Sequence, residues 1–125
     1  MEFKIDTKEK FHAITIKEAH FTANMTEELG SRLLPLLQTD VKNVVLVLKD
    51  TKTMEPAAGE SLLKLQQSFY DQQASFVICE LQPAVEEMLD QNGILEVMNV
   101  TPTESEAWDI VQMEEIEREL LGGEE

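Results

Sequence analysis

The amino-terminal segment alternates between apolar and polar side chains in two short runs. Phe3 and Ile5 alternate with charged residues, and a second alternating run covers residues 11–16. Alternation with a period of two is typical of half-buried strands, so we expect two strands that pair antiparallel around a polar turn at residues 7–10. We expect His12 on an exposed strand face and His20 in the loop that follows.

An uninterrupted apolar run lies at residues 44–48 and is followed by a polar stretch at residues 49–53. Such a β-branched run predicts a strand that is covered on both faces. Pro56 suits the first turn of a helix, where its missing N–H is not needed, and we expect that helix to run from residue 57 to about residue 73. A second buried strand at residues 75–80 would then be a parallel neighbour, because strand–helix–strand crossovers are right-handed.

Two further helices are predicted on either side of this unit. The first should begin near Thr22 or Asn24, both good N-caps, and carry an apolar stripe of Met25, Leu29, Leu33, Leu36 and Leu37. Pro35 interrupts that pattern and is expected to kink or loosen the final turn. The second helix should open at Pro83 and end at Gly93.

The carboxyl-terminal part is predicted to contain a short strand at residues 94–100 and a long acidic helix. A capping box at residues 103–106 marks the start of that helix. Its expected apolar side consists of Ala107, Ile110, Met113, Ile116 and Leu120, flanked by Trp108 and Val111. From Glu104 onward there are nine acidic residues and one arginine, a net charge of −8. Either these acidic residues form a helix face that is exposed to solvent, or they form a docking surface for a basic partner.

The order of elements predicts an α/β fold with a mixed β-sheet of four to five strands and about four helices. The chain of 125 residues has room for one domain, which we expect to cover residues 1–121, with a frayed tail at residues 122–125.

Charge and cysteine content narrow the choice of partner and compartment. The net charge of −15 argues against nucleic acid as a partner, because phosphates would be repelled. Cys79 is the only cysteine and lies in an apolar run, so we expect a buried thiol and a reducing, cytoplasmic location. No apolar segment approaches the length of about 20 residues needed to cross a bilayer, so direct membrane insertion is not expected.

No set of residues points to catalysis or to a cofactor. A phosphate-binding loop would need glycines between strand and helix, and residues 51–56 contain none. His12 and His20 both occur early, with no cysteine or paired histidine at ligand spacing, so neither a metal site nor a nucleophile–base pair is expected. We therefore expect a protein that is not an enzyme and carries no cofactor.

The segment around residues 43–63 resembles the signature of STAS domains, the anti-sigma factor antagonist family. That family usually has an apolar residue followed by Asp-Ser-Ser-Gly or Asp-Ser-Thr-Gly between a buried strand and a helix. Met54 matches the apolar residue and Glu55 the acid, while Pro56 and Ala57 fall where the two hydroxyl residues belong, and Ala58 where the glycine belongs. The resemblance extends over the order and length of the elements in the whole chain.

The resemblance implies a regulatory module of bacterial transcription that acts by binding another protein. The expected partner is an anti-sigma factor or a related kinase-like protein, and the module itself is expected to be a monomer or weak homodimer. The phospho-acceptor of the family is replaced at Pro56 and Ala57, so binding is either constitutive or the surface has diverged. Ser61, Thr53 and Thr51 are the remaining candidate acceptors, although local hydrogen bonding also explains such hydroxyls. The partner surface implied by the family comprises Thr53, Met54, Glu55, Pro56, Ala57, Glu60, Ser61, Phe21 and Thr22.

Two expectations about this surface remain open at the level of sequence. Met54 could be an exposed contact or a core residue beneath the loop. Charge reversal at Glu55 is expected to weaken partner binding while the fold is retained.

An alternative function implied by the same resemblance is a STAS-like subunit of an ABC-type lipid or anion transport assembly that docks on an ATPase.

Overall fold

A computed structural model describes residues 1–122 of the chain. Its centre is a five-stranded mixed sheet with the strand order β1-β2-β4-β6-β7. The strands are Phe3–Thr7 (β1), Phe11–Ile16 (β2), His20–Phe21 (β3), Asn43–Val47 (β4), Thr53–Met54 (β5), Phe76–Cys79 (β6) and Val100–Thr101 (β7). Only β1 runs antiparallel to its neighbour in this sheet. The predicted hairpin and mixed α/β sheet are therefore confirmed.

Helices cover both faces of the sheet. They are Ala23–Leu33 (α1), Pro56–Asp71 (α2), Pro83–Gln91 (α3) and Glu104–Gly122 (α4), with 3-10 turns at Leu34–Gln38 and Leu95–Val97. Side chains from α1, α2 and α3 pack with Val44 and Leu46 in one core, whereas α4 packs over Val45 and Val47 in another. The central strand is thus buried on both faces, as its uninterrupted apolar run predicts.

The ends of the helices follow local sequence signals. Thr22 caps α1, and Pro56 and Pro83 stand in the first turns of α2 and α3. Pro35 lies where α1 gives way to the 3-10 turn Leu34–Gln38, which confirms the predicted loosening of this helix end. Gly93 follows α3 with a φ of 71°, a conformation that glycine adopts without strain.

Residues 94–100 do not form the predicted strand. Ile94 and Met98 are buried and lie four residues apart, with Val97 between them 56% exposed. That spacing suits a helical turn, and the 3-10 turn Leu95–Val97 places both apolar side chains on the core side. Strand β7 is consequently limited to Val100–Thr101.

The histidines also depart from expectation. His12 is buried rather than exposed: its Nδ1 lies 2.9 Å from Thr7 Oγ1 and its Nε2 lies 2.9 Å from the carbonyl oxygen of Val41. Both ring nitrogens have partners, which is what allows a polar ring to be buried at this position. His20 is exposed, but it belongs to β3 rather than to a loop.

The last helix starts where the capping box predicts, with Thr103 Oγ1 accepting the N–H of Glu106 at 3.2 Å. Its buried side consists of Ala107 and Val111. The prediction that Met113, Ile116 and Leu120 share one apolar side with Ala107 is wrong, because all three are exposed whereas Ala107 is buried. The inner side of the second half of α4 is polar instead and includes Arg118. The helix ends at Gly122, and residues 123–125 of the predicted frayed tail lie outside the described residues.

Candidate functional site

A second, two-stranded sheet brings together the segments that precede α1 and α2. Strand β3 pairs in parallel with β5, so that His20 lies opposite Thr53 and Phe21 opposite Met54. The backbone N–H of Glu55 donates to the carbonyl oxygen of Phe21 at 3.0 Å and extends the pairing to the start of α2. The first turns of α1 and α2 are therefore neighbours at one edge of the molecule.

The carboxylate of Glu55 joins these two helix starts directly. Its Oε1 accepts the backbone N–H of Ala23, the first residue of α1, at 2.8 Å, while Thr22 Oγ1 accepts the N–H of Met25 at 3.2 Å. Free N–H groups and the positive end of the helix dipole make this a favourable place for a carboxylate. The Glu55 side chain therefore caps the start of α1. Reversing the charge of Glu55 would disturb the fold as well as any interface.

Four of the predicted contact residues form the exposed part of this edge: Thr53, Pro56, Ala57 and Glu60. Three more are half-buried: Thr22, Glu55 and Ser61. The first turn of α2 presents no hydroxyl group to solvent, because positions 56 and 57 are proline and alanine. Any partner that approaches here meets a small, apolar helix start with Glu60 beside it.

The remaining two predicted contact residues belong to the core. Phe21 is fully buried and Met54 is 6% exposed, and both lie in the cluster beneath α1 and α2. Their positions follow from the β3–β5 pairing, which turns both side chains inward. The structure thus decides in favour of Met54 as a core residue, and neither side chain can contact a partner directly.

The three candidate acceptor hydroxyls are in different environments. Thr51 is fully buried, and its hydroxyl donates to the carbonyl oxygen of Glu18 at 3.0 Å, so a kinase could not reach it in the folded protein. Thr53 is exposed, with its Oγ1 2.6 Å from Nδ1 of His20. Ser61 is half-buried on the first turns of α2.

A shallow groove between α1 and α2 continues this surface away from the loop. It has a volume of about 430 Å³, and its lining includes Ser61, Leu34, Gly30 and Lys64. Leu34, which also lines the groove, is 42% exposed. The groove was not predicted, because it depends on how closely the two helices approach. His20 was also missed, since no sequence pattern marks strands of two residues.

Two further observations concern the described part of the chain. Within residues 1–122, no three His, Cys, Asp or Glu side chains are grouped so that they could hold a metal ion. None of the helices in that range combines the length and the apolar character required to cross a membrane.

The STAS domain family model matches residues 3–107. This match covers most of the chain, together with a fold of the expected type, and the chain belongs to the STAS domain family. A comparison with curated protein sequences gave no match.

Solved structures with the same fold include two anti-sigma factor antagonists. An anti-sigma-factor antagonist (STAS) domain protein from Planctomyces limnophilus has a TM-score of 0.73 at 19% identity, over 88% of this chain and 97% of that one. The anti-sigma factor antagonist SpoIIAA in its unphosphorylated form has a TM-score of 0.70 at 15% identity, over 89% and 96% of the two chains. These likenesses confirm the predicted STAS-like fold.

The fold also occurs within a much larger protein. The murine Solute Carrier 26 family member A9 anion transporter, in its inward-facing state, is similar with a TM-score of 0.64 at 13% identity. The match covers 82% of this chain but 18% of the transporter.

Proposed function

We propose that this protein is a non-enzymatic regulatory module that binds an anti-sigma factor or a related kinase-like protein. The contact surface is the edge formed by Thr53, Pro56, Ala57 and Glu60, continued by the groove between α1 and α2. The observation that carries the proposal is the Glu55–Ala23 hydrogen bond of 2.8 Å, which holds both helix starts in one rigid surface. A surface that is already ordered loses little conformational entropy when a partner binds.

In this proposal, phosphorylation at positions 56 and 57, where the family has its phospho-acceptor, does not switch off partner binding. Phosphorylation adds about two negative charges and can disrupt an interface at a helix start. Pro56 and Ala57 have no side-chain hydroxyl to receive a phosphate, so the partner is bound constitutively through this turn. Of the three candidate acceptors Thr51, Thr53 and Ser61, the last two have some exposure at this edge and Thr51 is fully buried.

The setting of this function is transcription regulation in the bacterial cytoplasm. The family and its anti-sigma factor antagonist neighbours support a regulatory role. The lone buried Cys79 fits a reducing compartment, where no disulfide is required for stability.

The experiment that tests this function is a comparison of three tagged baits in native lysate: wild type, Glu60→Lys and Asp71→Lys. Both variants reverse one exposed acidic charge on α2, but Asp71 lies at the far end of the helix, about 16 Å from Glu60 at the rise per residue of an α-helix. Recovered proteins are identified by mass spectrometry, and the intact mass of each bait is recorded.

We expect a regulatory partner that is recovered by wild type and Asp71→Lys and lost with Glu60→Lys, from a bait of unmodified mass. Rebinding of the purified partner should reproduce the same order of affinity. Equal recovery by all three baits would place the interface elsewhere, and a bait heavier by one phosphate would contradict constitutive binding.

A second function is supported by the likeness to the anion transporter. In that case the protein is a STAS-like subunit of a membrane lipid or anion transport assembly and docks on its ATPase. The same experiment separates the two functions, because an ATPase subunit recovered equally with all three baits would favour the transport assembly.

A further inference from the structure

Helix α4 has apolar side chains on two opposite sides. Ala107 and Val111 are fully buried against the sheet. Met113, Ile116 and Leu120 are 60%, 56% and 68% exposed and follow one another at spacings of three and four residues. At 3.6 residues per turn, these three side chains form one continuous stripe on the side of the helix that faces away from the sheet.

The orientation of α4 is fixed by polar contacts on its inner side. Arg118 Nη2 donates to Ser75 Oγ at 2.9 Å and to Glu115 Oε1 at 3.0 Å. The Tyr70 hydroxyl donates to Glu114 Oε1 at 2.8 Å from the other direction. Turning the outer stripe toward the sheet would break the hydrogen bonds with Ser75 and Tyr70, because both of these residues lie outside α4. The stripe therefore remains in solvent unless another molecule covers it.

Single exposed apolar residues are common on protein surfaces, but a row of three large ones on a helix typically marks an interaction surface. Helices that are apolar on both sides are usually buried on both sides. Here the sheet buries one side of α4, and within the described residues no element of the chain packs on the other.

Charge identifies the kind of molecule that fits this stripe. The exposed acids Glu106, Asp109, Glu117 and Glu119 lie along the same outward side and its borders. A second copy of the chain would bring two surfaces of like charge together, each on a molecule with a net charge of −15. An anionic lipid surface would be repelled for the same reason. A cationic amphipathic helix would cover the apolar side chains and place its basic residues beside the acids.

We propose that the outer side of α4 is a docking surface for a cationic amphipathic helix of another protein, with Met113, Ile116 and Leu120 as its apolar centre. This surface lies on the opposite face of the sheet from α1 and α2. It is therefore independent of the partner surface at the start of α2, and both can be occupied at once.

The test uses a synthetic 18-residue amphipathic helix of leucine and lysine as the probe. Binding is followed by the fluorescence of Trp108, the only tryptophan, which is 42% exposed on α4. The stripe is removed in the triple variant Met113→Ser, Ile116→Ser, Leu120→Ser. The control carries Ile5→Ser and Val97→Ser, two exposed apolar residues that lie outside both the stripe and the groove between α1 and α2. Circular dichroism verifies that both variants are folded.

We expect the probe to bind the wild type and the control equally and the stripe variant about tenfold or more weakly, as the loss of three partly buried apolar contacts implies. A peptide with glutamate in place of each lysine should not bind the wild type. Equal affinity of the leucine–lysine probe for the wild type and the stripe variant would overturn the proposal. A wild-type dimer in analytical ultracentrifugation that the stripe variant converts to monomer would also overturn it, since a second copy would then be the occupant.

Discussion

The carboxylate of Glu55 and the backbone N–H of Ala23 are 2.8 Å apart, although the two residues are separated by 32 positions in the chain. Glu55 is the N-cap residue of α2, yet its side chain serves the first turn of α1. One side chain thus couples the two helices that form the proposed partner surface. The acid of the family signature has a structural role at this position in addition to any contact with a partner.

Removing this carboxylate should lower the free energy of unfolding. For Glu55→Ala we expect a loss of about 1–2 kcal/mol, because a hydrogen-bonded helix cap is deleted. Glu55→Gln keeps an acceptor oxygen and should cost less. Urea denaturation measures both, with Glu60→Ala as the control, since Glu60 is exposed and should change stability by about 0.5 kcal/mol or less. Equal stability of all three variants would show that the bond contributes nothing.

Leu46→Asp should prevent stable folding. Leu46 is fully buried in the central strand, where a new carboxylate would have no partner, and the cost should be at least about 4 kcal/mol. Circular dichroism and a thermal melt follow the outcome. The control is Ile5→Asp on the edge strand β1, where the native side chain is 44% exposed and a charge remains in water. A cooperative melt of Leu46→Asp near the wild-type temperature would contradict the burial of β4.

The free energy of unfolding should depend on pH through Glu115, which bonds α4 to Asn43 at the start of β4. Partial burial disfavours its charged form, but the hydrogen bonds from Asn43 and Arg118 outweigh this effect, so the pKa of Glu115 lies below its ordinary value. The unfolded chain then binds the proton more readily than the folded one. The stabilisation is complete above the unfolded pKa of about 4.3 and is lost as pH falls through the lower folded pKa.

Glu115→Gln should accordingly destabilise the protein at neutral pH, by about 1 kcal/mol or less because the pair is partly solvated. The difference from wild type should shrink in acid. Unfolding in urea at a series of pH values measures this, with Glu119→Gln on the next turn, an exposed site, as the control. A difference that is constant from neutral pH to about pH 3, below the ordinary range of a glutamate, would argue against the ion pair.

Cys79 should be unreactive in the native protein. Burial disfavours the thiolate, the charges of Glu80 and Glu104 add to this effect, and the pKa of the thiol is raised to about 12. Ellman's reagent should therefore label the wild type only as fast as it unfolds. The variant Ala84→Cys places a thiol at an exposed site of α3 and should react at once with one equivalent. Rapid labelling of the wild type would mean that β6 is accessible.

Much of this protein was determined by local sequence signals. The buried strands follow from uninterrupted apolar runs, and the helix starts from Thr22, Pro56, Pro83 and the capping box at Thr103. These signals act through the residue's own backbone or its nearest neighbours, so they can be read without knowing the fold. The resemblance around Met54 and Glu55 supplied the topology that those elements adopt.

Tertiary structure alone decided which side chains of the site are available. Phe21 and Met54 look like loop residues in the sequence, but the pairing of β3 with β5 buries both. The sequence of α4 likewise does not indicate which residues are buried, because apolar residues occur all around the helix. The side that faces the sheet is fixed by contacts with distant residues: Ala107 and Val111 pack on the strands, and Ser75 and Tyr70, more than 40 positions away, bond to the second half of the helix. Periodicity reports that a residue is apolar, whereas burial depends on what the rest of the chain brings against it.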